Sequence, residues 1–350
     1  MKDDCWEMGT LSGHLDSQAV LDVVRSSLPG NAATRKTEKY WRWKHIENPF
    51  GESAGTLAMA ADSSGGIVAV RSFMQWRFLS GTMELTAVRA VDTVTADAWR
   101  GRGIFKQLTL QAVKNLEADG VDLVFNTPNQ NSAPGYLKMG WCDIGSVPLY
   151  IRPLKPLRIV GALIKDKSGA GPVTPTWYPD EAQLPRWAEW EDRSEIIAVM
   201  RSHEMNRRPF GLRTVRTADY LSWRYGRNPQ ADYRVHILRE NDHVIAVAVL
   251  RPNIRYGLRE LVITEIWARD ANPAFMQRLL DTLGCCAETD YMIAHFAKGS
   301  AEYTALRKAS FFRVPVRKMR LFIRKLGKPL PASVFTMQGW DLTLGDLELF

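Results

Sequence analysis

The sequence predicts an α/β protein built from two similar domains in tandem. The chain has 350 residues, about twice the length of an average domain. The pattern T-x-x-Y-x-x-W-[KR]-x-x-x-N-P occurs at residues 37–49 and again 180 positions later, at 217–229. A second echo, Leu-Tyr-Ile-Arg at 149–152 and Leu-Phe-Ile-Arg at 321–324, has an offset of 172. Two matches in the same order indicate a duplicated domain, with about eight residues lost from the second copy.

Alternating and β-branched runs predict the strands of the first copy, GGIVAVRSF and MELTAVRAVDTVT. A Gly-rich turn and a helix from about Gly103 to Asp119 come next, because apolar residues repeat there every four positions. VDLVFNTP is then a short strand, SAPGYLKMG a short helix and VPLYIRPL a final strand. Strands and a helix thus follow one another within a single copy.

The second copy repeats this order. YRVHILRE, HVIAVAVLR and RELVITEIWA are predicted strands, AFMQRLLDTLGCCAE is the helix, and DYMIAHFA is the next strand. We therefore expect an N-terminal domain over 1–155, a Pro/Gly-rich linker over 156–185 and a C-terminal domain over 186–328. The tail 329–350 is apolar enough to pack back onto the body.

Composition excludes several classes of protein. Hydrophobic residues make up 45% and charged residues 24%, as in ordinary globular proteins. No apolar stretch is long enough for a membrane span, and the acidic start MKDDCWEMG does not resemble a secretory signal. Four cysteines form neither a disulfide framework nor a C-x-x-C metal site, so we expect a cytoplasmic protein without a metal.

The net charge of +8 favours an anionic partner. The one basic cluster, RVPVRKMRLFIRK at 313–325, alternates charged and apolar residues and is typical of a half-buried strand. No zinc-finger, RRM-type or basic-zipper pattern is present, so nucleic acid is not the expected partner.

The sharpest chemical signal is the turn between strand and helix, TADAWRGRGIFK at 95–106. Glycines permit positive φ and close approach of the backbone to a ligand. The first amides of a helix have no partner within the helix, and the helix dipole places positive charge there. Such a turn can bind a pyrophosphate. It is neither a P-loop nor a dinucleotide-binding G-x-G-x-x-G motif.

In this context the sequence resembles the GNAT superfamily of acyl-CoA N-acyltransferases. The family motif [QR]-x-x-G-x-[GA] is matched by Arg100 and Gly103, with Phe105 departing at the last position. The family's downstream Asn, Tyr and Gly-aromatic pattern is matched by Asn129, Tyr136 and Gly140-Trp141. The resemblance covers about Gly65 to Leu154 and, more faintly, most of 217–326. It implies two domains, each with a mixed, mostly antiparallel sheet flanked by helices.

The resemblance further implies direct transfer of an acyl group to an amine in a ternary complex. Acetyl-CoA or another acyl-CoA would lie in a split between the fourth and fifth strands. A backbone amide near Val94 or Thr95 would stabilise the oxyanion. Tyr136 matches the position of the acid that protonates the departing thiolate. The implied cofactor-binding residues are Thr93, Val94, Thr95, Arg100, Gly101, Arg102, Gly103, Ile104, Phe105, Lys106 and Asn129.

The general base is open between three residues. Asp92 and Glu84 lie on the strand that leads to the loop, and Asp92 is closer to the expected thioester. His45 lies within the repeated element, but Tyr225 replaces it in the second copy. Asp92 is the favoured candidate. The repeated tryptophans and Asn-Pro pairs are better explained as a buried indole and a turn that ends a helix.

The second copy lacks these features. Its loop, ARDANPAFMQ, contains no glycine, and Leu306 replaces Tyr136. We therefore expect catalysis in the first copy, while the second completes the acceptor cleft or the fold. Glu265, on the strand equivalent to that of Asp92, is either a relic or an acceptor contact.

Two other functions stay open: transfer of an amino acid from aminoacyl-tRNA, and a non-enzymatic acyl-CoA-binding module. The acceptor is expected to be a small-molecule amine, with an amino sugar favoured over amino acids, polyamines, antibiotics and protein amines. Both a monomer and a homodimer fit the sequence.

Overall fold

The computed structural model describes residues 5–27, 37–61, 65–165, 177, 179–208, 211–315 and 319–347. Two mixed, mostly antiparallel sheets are flanked by helices, which confirms the predicted fold class. None of the helices in these ranges is long and apolar enough to cross a bilayer.

The first sheet has seven strands in line and one short strand at its side. In chain order they are β1 (Trp6–Thr10), β2 (Ala54–Ala60), β3 (Ile67–Ser80), β4 (Met83–Thr95), β5 (Leu123–Asn126), β6 (Cys142–Ser146), β8 (Leu212–Thr214) and β14 (Arg320–Lys325). Their spatial order is β1-β2-β3-β4-β5-β14-β6, with β8 paired to β3. Only β4 and β5 pair in parallel.

The second sheet has the same plan. Its strands are β7 (Leu149–Pro153), β9 (Arg234–Glu240), β10 (His243–Arg255), β11 (Leu258–Ala268), β12 (Tyr291–Ala294) and β13 (Phe312–Val314). Their order is β13-β7-β12-β11-β10-β9, and only β11 and β12 pair in parallel.

The two sheets exchange their last strands. β7, from the first half of the chain, lies between β12 and β13, whereas β14, from the second half, lies between β5 and β6. These strands carry the repeated sequences LYIR and LFIR. Each sheet therefore contains residues from both sides of the linker expected at 156–185.

The helices follow the apolar periodicity of the sequence. They are α1 (Gln18–Ser27), α2 (Glu38–His45), α3 (Ile104–Ala118), α4 (Ala133–Lys138), α5 (Pro156–Lys165), α6 (Ser194–Asn206), α7 (Ala218–Leu221), α8 (Pro273–Cys286), α9 (Ala301–Lys308) and α10 (Leu344–Leu347). The helices predicted after the two loops are confirmed as α3 and α8. α5 occupies the start of the expected linker, and residues 166–176 and 178 of that linker lie outside the described residues.

The repeated element forms the contact between the two halves. Thr37 and Thr217 cap α2 and α7 through their side chains. The indoles of Trp43 and Trp223 stack with ring centroids 4.8 Å apart. Each indole Nε1 donates to the backbone oxygen of the other tryptophan, at 2.7 and 2.6 Å. The prediction that these tryptophans are buried structural residues is confirmed.

The C-terminal tail enters the protein core. Residues 340–347 are all buried, and Trp340 and Leu342 are fully so. They pack in a cluster that contains side chains of both sheets. Asp346 accepts from the guanidinium of Arg216 at 2.9 Å, which anchors the tail through a buried ion pair. All four cysteines are free thiols.

Candidate active site

The first sheet opens where β4 and β5 separate. The two strands pair only from Ala87 and Leu123 to Arg89 and Phe125. Beyond that point they border a cavity of about 740 Å³, with residues 90–95 on one side and 126–129 on the other. Its volume is that of a site for a cofactor-sized ligand.

One end of the cavity lies against the Gly-rich turn. Gly101 and Gly103 have φ of 80° and 73°, in the left-handed region that favours glycine. Gly103 precedes α3 but offers no side chain to cap it, and the first turn of α3 contains no acidic residue. The first amides of this helix are therefore available to an anion, and the helix dipole favours negative charge there.

The basic side chains of the turn point in different directions. Arg100 lines the cavity and forms an ion pair of 2.7 Å with Asp97. Arg102 lies over the ring of Trp99, at 4.6 Å from its centroid. Lys106 is exposed. Arg102 and Lys106 are not among the residues that line the cavity.

The structure brings the other predicted residues together around this cavity. Asp92, Thr93, Val94, Thr95, Arg100, Gly101, Gly103, Ile104, Phe105, Asn129 and Tyr136 all line it. Their functions remain predictions.

Asp92 lies at a β-bulge in β4, where two residues oppose Arg71 of β3. Its φ of 39° is unusual for a residue with a side chain. Its carboxylate accepts from the ammonium of Lys44 and from Nε2 of His45, the latter at 3.0 Å. Because a carboxylate only accepts, Nε2 of His45 carries a proton. Nδ1 of this ring lies 2.9 Å from the hydroxyl of Ser53.

The three candidates for the general base have different positions. Asp92 faces the cavity together with Lys44. His45 is fully buried behind Asp92 and belongs to the same network. Glu84 lies at the other end of β4, half exposed, and pairs with Arg77 at 3.1 Å. The structure therefore places Asp92 in the cavity, His45 next to it and Glu84 away from it.

Tyr136 is buried in the wall of the cavity, with 5% of its surface exposed. Its ring packs edge-on against Phe105 and Trp141, at 5.9 and 5.1 Å between centroids. Asn129 has a clear structural role as well: its Oδ1 accepts from the amides of Asn131 and Ser132, at 3.0 and 2.9 Å, before α4.

Lys44, Arg89 and Asn126 are among the polar residues of the cavity that were not predicted as site residues. Arg89 donates to backbone oxygens of the tail, at 2.6 Å to Leu347. Burial, reinforced by the neighbouring Arg224, lowers the pKa of Arg89 to about 10. Asn126 is 3% exposed, and its Oδ1 has no hydrogen-bond partner among the described residues.

Weak sequence signals marked two of these residues. Lys44 occupies the [KR] position of the repeat. Arg89 interrupts an apolar strand, but the pattern does not show which face it occupies. Asn126 had no such signal.

Glu265 in the second half occupies a buried polar network. It accepts from the hydroxyl of Tyr225 at 2.7 Å and from Arg216 at 3.0 Å, and it contacts Thr343 of the tail at 3.1 Å. Burial raises the pKa of its carboxyl, against the effect of Arg216. The Tyr225–Glu265 pair is the counterpart of the His45–Asp92 pair. Glu265 does not line the cavity of the first half.

Solved structures share this architecture. A probable N-acyltransferase from Enterococcus faecalis superposes with a TM-score of 0.60 at 13% identity, covering 92% of this chain and 73% of that one. A GCN5-related N-acetyltransferase from Anabaena variabilis gives 0.58 at 11% identity, with the same two coverages. N-myristoyltransferase from Saccharomyces cerevisiae with bound myristoyl-CoA gives 0.52 at 11% identity, covering 91% and 82%.

The sequence by itself shows less similarity. A scan against protein-family models finds no match, and a search of curated proteins finds none either. What this chain shares with the solved structures is the arrangement of strands and helices over nine tenths of its length. The chain therefore has the fold of the GNAT superfamily.

Proposed function

We propose that this protein is an acyl-CoA-dependent N-acyltransferase that transfers the acyl group directly to an amine. The observation that carries this proposal is the continuity of one cavity, which runs from the uncapped start of α3 into the split between β4 and β5. An anion site at one end and polar side chains at the other fit a thioester carrier and an acceptor. The bound myristoyl-CoA in the yeast myristoyltransferase of the same fold supports this class of donor.

In this proposal the pyrophosphate of CoA binds the amides after Gly103, and the pantetheine follows residues 93–95 of β4. The thioester then lies near the bulge at Asp92. A neutral amine attacks its carbonyl, and Asp92 accepts the proton that nitrogen loses. Tyr136, which lines the same cavity, donates a proton to the departing thiolate. We assign these steps to residues 1–155, and a supporting role to residues 186–328 and the tail.

We propose a small-molecule amine as the acceptor, with an amino sugar first among the classes to test. The acceptor end of the cavity is polar: Lys44, Arg89, Asp92 and Asn126 all face it. Such a surface favours a hydrophilic acceptor rich in hydrogen-bonding groups. Acetyl-CoA is the first donor to test.

Calorimetry with acetyl-CoA, followed by thiol release with a panel of amines, tests the proposal. We expect CoA binding and thiol release that depends on the amine. Binding without turnover over a broad panel would favour a non-enzymatic acyl-CoA module. No CoA binding would contradict the proposal and leave aminoacyl-tRNA as the donor to examine.

A further inference from the structure

Arg71 is a buried cation next to the proposed leaving-group site. It lies on β3, opposite the bulge of β4, and its side chain is fully buried. Its Nη1 donates to the hydroxyl of Thr93. Its Nε and Nη2 have no hydrogen-bond partner in the described part of the chain. A buried guanidinium with unused donors is costly for folding, so its retention calls for an explanation.

The surroundings of Arg71 connect it with the cavity. The guanidinium carbon lies 4.2 Å from the centroid of the Phe73 ring, 5.6 Å from that of Tyr136 and 5.9 Å from that of Phe105. Tyr136, Phe105 and Thr93 line the cavity, whereas Arg71 does not. Arg71 therefore does not contact the cavity itself, and it would act on a bound ligand only through these three side chains. Burial lowers the pKa of Arg71, and Tyr136 acts against that shift.

The second half of the chain lacks both residues of this pair. Leu306 stands where the first half has Tyr136. The face of β10 that packs with Leu306 carries Ala246, Ala248 and Leu250 around its own bulge. The second half therefore forms its bulge without a buried arginine. The equivalents of the Arg71 guanidinium and the Tyr136 phenol are thus both absent from the second half.

We infer that Arg71 is a positioning residue for the leaving-group step, which holds Tyr136 and stabilises the phenolate formed when its proton is transferred. This inference rests on the proposed N-acyltransferase function. The amine nitrogen forms the C–N bond, and the C–S bond breaks with its electron pair on sulfur. The thiolate takes the proton of Tyr136, and the phenolate left behind lies beside the guanidinium until it regains a proton from solvent. The proton lost by nitrogen goes to Asp92 and then to solvent.

A double-mutant cycle in the full-length protein tests this inference. The four proteins are wild type, Arg71→Met, Tyr136→Phe and the double variant, assayed with acetyl-CoA and whichever amine gives thiol release. We expect Arg71→Met to lower kcat about 10- to 100-fold, with the Kd of CoA changed less than about threefold. In the Tyr136→Phe background, Arg71→Met should lower kcat by less than about twofold, because the phenol it serves is gone.

Arg71→Lys is the conservative variant, and we expect it to keep kcat within about threefold of wild type because it retains the cation. Replacing a poorly paired buried cation by an apolar side chain is often tolerated, and Arg71→Gln serves as the neutral variant if Arg71→Met does not fold. An equal loss of kcat from Arg71→Met in both backgrounds would overturn the inference, and so would an unchanged kcat. If Tyr136→Phe is fully active, the inference about Arg71 fails while the N-acyltransferase function stands. If wild type neither binds CoA nor releases thiol, the proposed function itself fails.

Discussion

α3 and α8 begin differently, although each helix follows the first strand of the parallel pair in its sheet, β4 or β11. Gly103 leaves the first amides of α3 uncapped. Before α8, the side chain of Asn272 accepts from the amide of Ala274 at 2.9 Å, and Pro273 has no amide proton to offer. The start of α3 can therefore bind an anion, whereas the amide of Ala274 at the start of α8 already donates to a side chain.

The two sheets also differ at the place where their parallel strands separate: the first is open and the second is filled. The split between β4 and β5 is a cavity, whereas the tail contacts the equivalent carboxylate of β11. A Cβ at Gly345 of the tail would lie 1.9 Å from the hydroxyl of Tyr225, so the tail packs there with a backbone that admits only glycine. The first half thus has an open cavity at this place, whereas the second half uses the equivalent positions to anchor the C-terminal tail.

Tyr136→Phe should have the largest effect on turnover. If Tyr136 protonates the thiolate, we expect kcat to fall about 10³-fold, with the affinity for CoA nearly unchanged. Steady-state kinetics and calorimetry would measure the two quantities. Tyr303→Phe, on the equivalent helix α9, is the matched control and should leave both values unchanged. A preserved rate in Tyr136→Phe would mean that this tyrosine contributes only packing.

Asp346→Ala should have the largest effect on stability. Asp346 is fully buried, pairs with Arg216 at 2.9 Å and accepts from the amide of Thr343 at 2.8 Å. The variant would leave Glu265 as the remaining buried acidic partner of Arg216 and would leave the amide of Thr343 without its acceptor. We expect a loss of about 3–5 kcal/mol in the free energy of unfolding. Urea unfolding would measure this loss.

Glu84→Gln is the control for that experiment, because the Glu84–Arg77 pair is about half exposed on both sides. It should change the free energy of unfolding by less than about 1 kcal/mol. Similar losses in the two variants would show that the tail is not an essential part of the core.

Gly103→Asp should weaken CoA binding by at least about 100-fold, because its carboxylate would lie at the proposed pyrophosphate site. Gly103→Asn has the same shape without the charge and tolerates the left-handed φ of 73° at this position. We expect it to weaken binding far less. Ala274→Asp places the same charge at the start of α8 and should leave the Kd of CoA unchanged. Equal affinities of the two Gly103 variants would contradict the anion site.

Local patterns predicted much of the fold and the cavity. The loop glycines and the helix after them follow from short-range spacing, and Tyr136 was identified through its match to a family motif. The exchange of β7 and β14 could not be predicted, because each strand pairs with residues more than 130 positions away. Arg71 and Arg89 were also missed, since one charged residue in an apolar strand does not reveal which side of a sheet it occupies.

His295 gives the smallest expected effect, a pH dependence that originates in the second half. His295 follows β12 at the position equivalent to Thr127, and Thr127 lines the cavity of the first half. His295 itself is buried, and its Nδ1 lies 2.7 Å from the backbone oxygen of Pro148. Burial lowers the pKa of His295 to about 4. The native state therefore binds this proton less readily than the unfolded state, whose histidine titrates near 6.5. The contribution to stability is present above pH 6.5 and is lost as the pH falls towards 4.

We expect His295→Gln to reduce the loss of stability over this interval by about 1–3 kcal/mol, measured by urea unfolding at several pH values. His14→Gln, at an exposed position, is the control. An unchanged pH profile in His295→Gln would mean that solvent protons reach this ring. The space beside the parallel strands β11 and β12 would then be open to solvent, as it is in the first half.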